Sequence, residues 1–502
     1  MDGRDPAAVA ASRPMMSSDM RWEAPPGAFA RNFRLGEWIG DPVTPLFESW
    51  LLTTMEETMH ADYARLVGQP APRPLHVIVN GWYYYNLGFL PTSVRAIART
   101  LPGLVVRLAR NPRRVAPAIP PLARFGVDLY VREWREELLP AYLAAVTQAA
   151  SVVETTPLER LPAIVDDLAA FAGRYFTSIT MVAGYGWKTE IPLGRFYRDH
   201  LRERIGGHHQ ELLRGLSVPT TPAHAASSLD WYFPTAGESA HIPDRDRDRR
   251  YAHLVSDREE LERRARVTLP SSLLTRFDRL LAEAQRASKL REEQVADLTR
   301  AWPVLRRAIA RIGEAFLTRG TTRLATDVHF LKRAELTRAL TESEPGLGDI
   351  AVDRRTKWEE QRRLSAPLVL GQPPRMLTSL LETADRAVRD PAPAGANSVR
   401  GTPASPGLAT GRARVVHSTD EFDRVGAGEI LVCPVTTPAW TPLFARIAAV
   451  VTDVGSVAAH ASIIAREYGI PAVVATGDGT SRIADGSRVT VDGGAGLVRP
   501  AD

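Results

Sequence analysis

The amino-acid sequence predicts a multidomain α+β chain in which a large, mainly α-helical region is followed by a small β/β/α unit. Three observations lead there. Apolar residues recur at helical spacing from about residue 45 to 385, a Pro/Gly/Ala-rich stretch follows at 389–407, and beyond it short apolar runs alternate with turns. With 502 residues, 44% hydrophobic and 24% charged, the chain is long enough for two or three packed cores.

In chain order, residues 1–40 open with MDGRDPAAVAASRPMM, which mixes acids and prolines and has no continuous apolar core. It reads as an N-terminal tail, neither signal peptide nor anchor. The helical region is assigned to 41–388. Within it Leu273, Phe277, Leu280, Leu281 and Ala284 fall three and four residues apart, on one helix face. One exception is RPLHVIVNGWYYYNLG, residues 73–88, where a β-branched run, Asn80-Gly81 and then aromatics predict a hairpin. Trp82 and Tyr84 there are candidate walls of an apolar substrate pocket, although such clusters, like Trp231-Tyr232-Phe233, are more often core. The string AGYGWKT around Lys188 lacks the glycine that a phosphate-binding loop places before its lysine, and a turn between two helices is expected. PDRDRDRRY, residues 243–251, alternates charge and predicts a solvated loop or helix start.

The linker is placed at 389–407 and the second unit at 408–502. Its predicted strands are GRARVVH, EILVCPV, IAAVVTDV, PAVVATG and SRVTVDG. Between the third and fourth, a helix is predicted from His460 to Tyr468, stopped by Gly469 with Pro471 close behind.

Bulk properties exclude several function classes. A net charge of +5 spread over 63 basic and 58 acidic residues supplies no one-signed field, so neither nucleic acid nor a membrane surface is expected as partner. No run approaches the ~18 apolar residues of a membrane span. Cys433 is the single cysteine, and a cytoplasmic setting is expected. His208 and His209 are adjacent rather than one helical turn apart, and no metal site is predicted.

The informative string is VVTDVGSVAAHASIIAREYGIPAVVATG, residues 450–477. A buried strand ends in a turn of small residues, and His460 opens a helix whose free N–H groups and positive dipole end suit an anion bonded to the imidazole. Imidazole is a competent nucleophile near neutral pH, and a covalent intermediate divides one hard transfer into two easier ones. By itself, a histidine after such a turn is more often structural.

This string resembles the T-D-x-G-G-x-x-x-H-x-x-x-x-A-R-E-x-G-I-P-A-V-V block of the swivelling phosphohistidine domain of phosphoenolpyruvate (PEP)-utilising enzymes, the family of PEP synthase and pyruvate phosphate dikinase. CPVTTPAWTPLF, residues 433–444, is similar to the segment preceding it in rifampicin phosphotransferases. Upstream, DPVTPLFESW (41–50), TDVHFLKRAEL (326–336) and RRLSAPLVLG (362–371) resemble parts of their substrate-binding domain, so the resemblance implies that role for 41–388. It implies that His460 carries a phosphoryl group, with Thr452, Gly455 and Ser456 forming the supporting turn. KLREEQVADLTR, residues 289–300, resembles an R-E-x-x-K helix lining the acceptor site, with Arg291 and Glu292 in place and Val295 at the lysine position. There a guanidinium would hold phosphoryl oxygens and a carboxylate would handle the acceptor's proton.

Two departures are Ser456 for the second glycine of the turn and Ala458 where the dikinases carry threonine. No ATP-grasp domain is found before this region and no pyruvate-binding barrel after it. The resemblance therefore implies a separate ATP-grasp partner that binds ATP and Mg2+, with no cofactor held tightly by this chain. Two enzymatic outcomes stay open: a phosphotransferase acting on a hydroxyl of a small, largely apolar molecule, or a dehydratase that phosphorylates the hydroxyl and then eliminates phosphate in natural-product biosynthesis. A non-catalytic phosphohistidine carrier or ligand-binding module is the alternative of another class.

Overall fold

The computed structural model describes residues 22–31, 36, 38–67, 73–87, 105–106, 108–110, 112, 127–216, 222–238, 247–362, 364, 366–372, 397–457 and 459–501. The architecture is multidomain, a mainly helical region joined to a smaller mixed-sheet domain.

The spine of the helical region is α2 (Leu161–His200), which packs along α1 (Thr53–Val67) and α4 (Ser271–Leu298). The predicted stripe lies on α4, where Phe277, Leu281 and Ala284 are buried against α2, while Leu273 and Leu280 flank them. α3 (Arg247–Thr268) begins within the charge-alternating string, as a helix start. α5 (Trp302–Thr318) and α6 (Leu347–Arg362) complete the core around Trp50, Trp231 and Trp302. A correction concerns AGYGWKT. α2 runs through it without a turn, because packing along the spine outweighs the weak helix propensity of Gly184 and Gly186.

The predicted hairpin is present as β2 (His76–Val79) and β3 (Trp82–Asn86). Its turn places Asn80 and Gly81 at φ 50° and 80°, the left-handed pair that a two-residue hairpin loop requires. Two flanking strands were not foreseen. β1 (Ala28–Ala30) inserts between β3 and β4 (Val369–Gly371), giving an antiparallel sheet of order β2-β3-β1-β4. The expected tail over 1–40 is thus corrected at 28–30, which are buried and paired, whereas residues 1–21 lie outside the described residues.

The second domain holds an eight-stranded mixed sheet of order β5-β12-β11-β7-β8-β9-β10-β6. β7 (Leu408–Val415), β8 (Ile430–Cys433), β9 (Ala449–Thr452), β10 (Ala472–Val474) and β11 (Arg488–Asp492) coincide with the five predicted runs, and β12 is Leu497–Pro500. The expected linker needs correction at its end. Val399–Arg400 forms β5 and Thr402–Ser405 forms β6, both at sheet edges, where Pro403 is tolerated. Residues 389–396 lie outside the described residues.

β7, β8, β9 and β10 pair in parallel, and α7 (His460–Tyr468) is the crossover from β9 to β10. Along β8 the side chains alternate between two cores: Leu431 and Cys433 face α7, Ile430 and Val432 the opposite layer. Cys433 is fully buried, as a small core residue, and burial pushes its thiol well above its ordinary range. Among the described residues no helix is long and apolar enough to cross a membrane.

Candidate active site

Because α7 returns the chain from β9 to a parallel neighbour, its first residue stands just beyond the carboxyl end of the sheet, where α/β folds place ligands. The intervening turn is fixed from within. Thr452 Oγ1 donates to the Val454 carbonyl at 2.8 Å, and Ser462 Oγ donates to the Ser456 carbonyl at 2.6 Å. Gly455 sits at φ 152°, a conformation that favours glycine, and a Cβ there would come within 3.2 Å of that of Val474, a tight contact. These contacts fix the turn that precedes α7. At its far end Gly469 adopts the left-handed φ of 67° that ends the helix.

His460 is not displayed to solvent; it is 4% exposed. Its Nδ1 lies 3.0 Å from Thr436 Oγ1 and its Nε2 3.2 Å from Thr441 Oγ1. The ring of Phe444 meets it edge-on, with centroids 6.1 Å apart. Burial, followed by the Arg291 charge, depresses its pKa to about 3, so the buried imidazole is neutral and one ring nitrogen is free of a proton.

The charge of Arg291, some 170 residues away in the sequence, acts on His460. Arg291 is buried and its Nη1 bonds Glu292 Oε1 at 2.9 Å. Burial pushes the Glu292 carboxyl up, against the pull of Arg291 and then Arg466. Such a carboxyl holds a proton more readily than an exposed one. Val295 packs in the apolar core of the helical region, and no cation takes its place on that helix turn.

Trp82 and Tyr84 are not brought to this site, which corrects the expectation of a pocket wall. Tyr84 has no exposed surface and its hydroxyl donates to Pro367 O at 2.9 Å. Trp82 lies under the Arg31 guanidinium, 4.3 Å away, beside a small gap that also touches Pro434 and Asp453. A larger cleft of about 430 Å3 is lined by Glu48, Glu56, His60, His76 and Lys332, none of which touches His460. Among the described residues no cluster suited to a metal is found; His208 and His209 are buried, with Gln210 N donating to His208 Nδ1.

Sequence reasoning missed Thr436 and Thr441, although both lie in CPVTTPAWTPLF; only contact with His460 marks them out. It also missed Glu190, which pairs with Arg466 at 3.3 Å from 276 residues away.

Comparison with known proteins places these features in context. Residues 425–496 match the mobile domain of PEP-utilising enzymes. The chain is 37% identical over 190 residues to the uncharacterized phosphotransferase YvkC of Bacillus subtilis, covering 38% of this chain and 23% of that protein. It is 47% identical over 127 residues to a rifampicin phosphotransferase of Streptomyces sviceus, covering 25% and 14% respectively. Similarity at 33% identity over 274 residues extends to chondramide synthase cmdD of Chondromyces crocatus, covering 51% of this chain and 7% of that one. The chain thus spans less than a quarter of these curated relatives' length, and the 274-residue match is too long to be confined to the second domain.

Proposed function

We propose, from the premise that the chain carries a PEP-utilising enzyme mobile domain and resembles the rifampicin phosphotransferases, that it is a phosphotransferase working through a phosphohistidine on His460. The observation that carries this reading is His460 at the start of α7, buried and hydrogen-bonded by Thr436 and Thr441, under the influence of the Arg291 charge, with Glu292 paired to Arg291. The second domain plays the mobile part and 41–388, now with β1 included, the substrate-binding part.

The neutral imidazole takes a phosphoryl group from the donor, and the proposed donor is a separate ATP-grasp protein that binds ATP and Mg2+. At the docked site the P–N bond breaks as an acceptor hydroxyl attacks phosphorus. Arg291 stabilises charge on the phosphoryl oxygens in a site from which water is largely excluded, where such a contact is worth most. Glu292 takes the hydroxyl proton, which its raised pKa suits it to hold. The products are a phosphate ester and the free imidazole. The acceptor is a small, largely apolar hydroxylated molecule, a class supported by similarity to rifampicin phosphotransferases.

A second outcome is favoured by one specific observation, the burial of Val295 where the family motif has lysine. Without that cation the site retains the ester less firmly. After Glu292 has released the hydroxyl proton to solvent, it removes a second proton, from the carbon next to the one bearing the ester oxygen, while the C–O bond breaks, giving an alkene and inorganic phosphate. The similarity to a chondramide synthase supports a biosynthetic setting for either outcome.

The test is intact-mass analysis of the chain after incubation with ATP, Mg2+ and a co-expressed ATP-grasp partner. An acid-labile phosphoryl group that is lost in His460→Ala is the expected result. Discharge to a phosphorylated acceptor marks the transferase; inorganic phosphate with a product lighter by one water marks the dehydratase. Absence of any phosphoryl group on His460 overturns the reading and leaves a ligand-binding module. A stable group that no acceptor discharges leaves a carrier.

A further inference from the structure

The helix that presents His460 is held at its opposite end by the other domain. Arg466 and Glu467 occupy the last turn of α7 and are each 2% exposed. Within its own domain Arg466 donates to the carbonyls of Ala404, at 2.9 Å, and Val457. Its Nη1 then reaches Glu190 of α2 at 3.3 Å. Glu190 also accepts a bond from Gln210 Nε2 at 3.0 Å and faces His209 Nε2 at 3.6 Å. Burial alone would raise its pKa, but Arg466, His209 and Gln210 together pull it down to about 2.

Beside this pair, both carboxylate oxygens of Glu467 accept the Leu216 N–H at 3.1 Å. Gln210 Nε2 and Arg214 Nη2 reach the carbonyls of Pro403 and Pro406 at 3.4 and 3.0 Å. Arg250 lies 4.7 Å over the ring of Tyr468.

A buried ion pair adds little net stability over an apolar contact, but removing one partner strands the other in a poorly solvating place. Here the partners belong to different domains, so both regain water when the domains part and neither is satisfied in a slipped docking. The pair therefore selects one register. α7 is a rigid rod at this length, and six residues separate His460 from Arg466, about 9 Å along the axis. Fixing the end of the rod fixes where its beginning sits.

We propose that Glu190, together with the Leu216 amide, is a docking receptor for the last turn of α7. Glu190 is a positioning residue: it acts through Arg466 to hold His460 where the Arg291 charge reaches it. The mechanistic consequence rests on His460 being the phosphoryl carrier, but the docking itself is measurable without any phosphoryl donor.

The experiment is hydrogen exchange by mass spectrometry on the full chain, wild type against Glu190→Ala, with loading and discharge of His460 followed in parallel. Exchange in peptides covering 210–216 and 463–469 is expected to rise about tenfold or more, while β8, β9 and β11 stay protected. Glu190→Gln, which keeps the shape and loses the charge, is expected to fall between. Discharge from His460 slows by a similar factor while loading is unchanged, a split that a merely structural role would not produce. If Glu190→Ala loses protection throughout, Glu467→Ala decides from the other side of the interface. Unchanged exchange in the folded variants overturns the receptor. An interface that opens in a chain whose wild type never accepts phosphoryl refutes the carrier reading and leaves the receptor standing.

Discussion

Lowering the pH from about 7.5 to about 5 should draw the second domain away from the helical region, and the size of the effect follows from His460. Docked, its imidazole titrates at about 3, held there by burial and then by Arg291, against 6.5 when exposed. The undocked form therefore binds the proton first, so acid favours undocking. The effect is absent above about 6.5 and grows until the pH nears 3. At pH 5 it amounts to about 2 kcal/mol, or about a thirtyfold shift in the docking equilibrium. Glu190, pulled down to about 2, contributes in the same direction only below its ordinary 4.5. Glu292, pushed up, takes its proton preferentially when docked and opposes the shift. Subtracting the same titration of His460→Asn isolates the histidine. The assay is NMR of 13C-labelled histidine, with the His460 resonance assigned by its loss in that variant. The expected spectrum at pH 5 shows a neutral docked signal losing intensity to a protonated one. A single His460 signal that titrates smoothly near 6.5, while the Leu216 amide stays protected from exchange, would refute the reasoning.

Arg291→Met removes the charge beside His460 and strands Glu292, its partner at 2.9 Å. Discharge of phosphohistidine should fall by about 10²–10³-fold with loading unaffected, as for loss of a preorganised transition-state contact; equal loss of both rates would place Arg291 in loading instead. Thr436→Val and Thr441→Val each leave one nitrogen of a buried imidazole without its partner. Each should cost about 1–3 kcal/mol, read from the denaturant midpoint, and a neutral result would show that the hydroxyls do not bond the ring. Gly455→Ala forces a Cβ onto φ 152° and toward Val474. A loss of about 1–3 kcal/mol in thermal unfolding is expected, and unchanged stability would mean the turn relaxes freely.

Much of the second domain was legible because its signals are local. The five apolar runs became strands, and α7 begins and ends as His460, Gly469 and Pro471 indicate. The hairpin was legible for the same reason, since Asn80-Gly81 encodes its own turn. The strands that escaped notice, β1, β4, β5, β6 and β12, are two to four residues long, and all but β12 are defined by distant partners. Thr402–Ser405 contains a proline and small residues, so it reads as linker until β10 lies beside it. The site divides in the same way. His460, Arg291 and Glu292 came from motifs, whereas Glu190 is one glutamate among many until Arg466 is seen against it. Tyr84 shows the reverse error, because aromatic character alone does not distinguish a pocket wall from a core filled by Phe29 and Leu370.

The strand at 28–30 has a mechanical consequence. β1 is wedged between β3 and β4, so β4 has no other neighbour in the sheet among the described residues. Among the described residues β4 is also the last strand before Val399 of the other domain. A three-residue segment near the beginning of the polypeptide therefore sets the fulcrum of an arm that leaves more than three hundred residues later. Trimming the chain past Ala30 would loosen the anchorage of β4, while leaving His460 and all of its neighbours chemically intact.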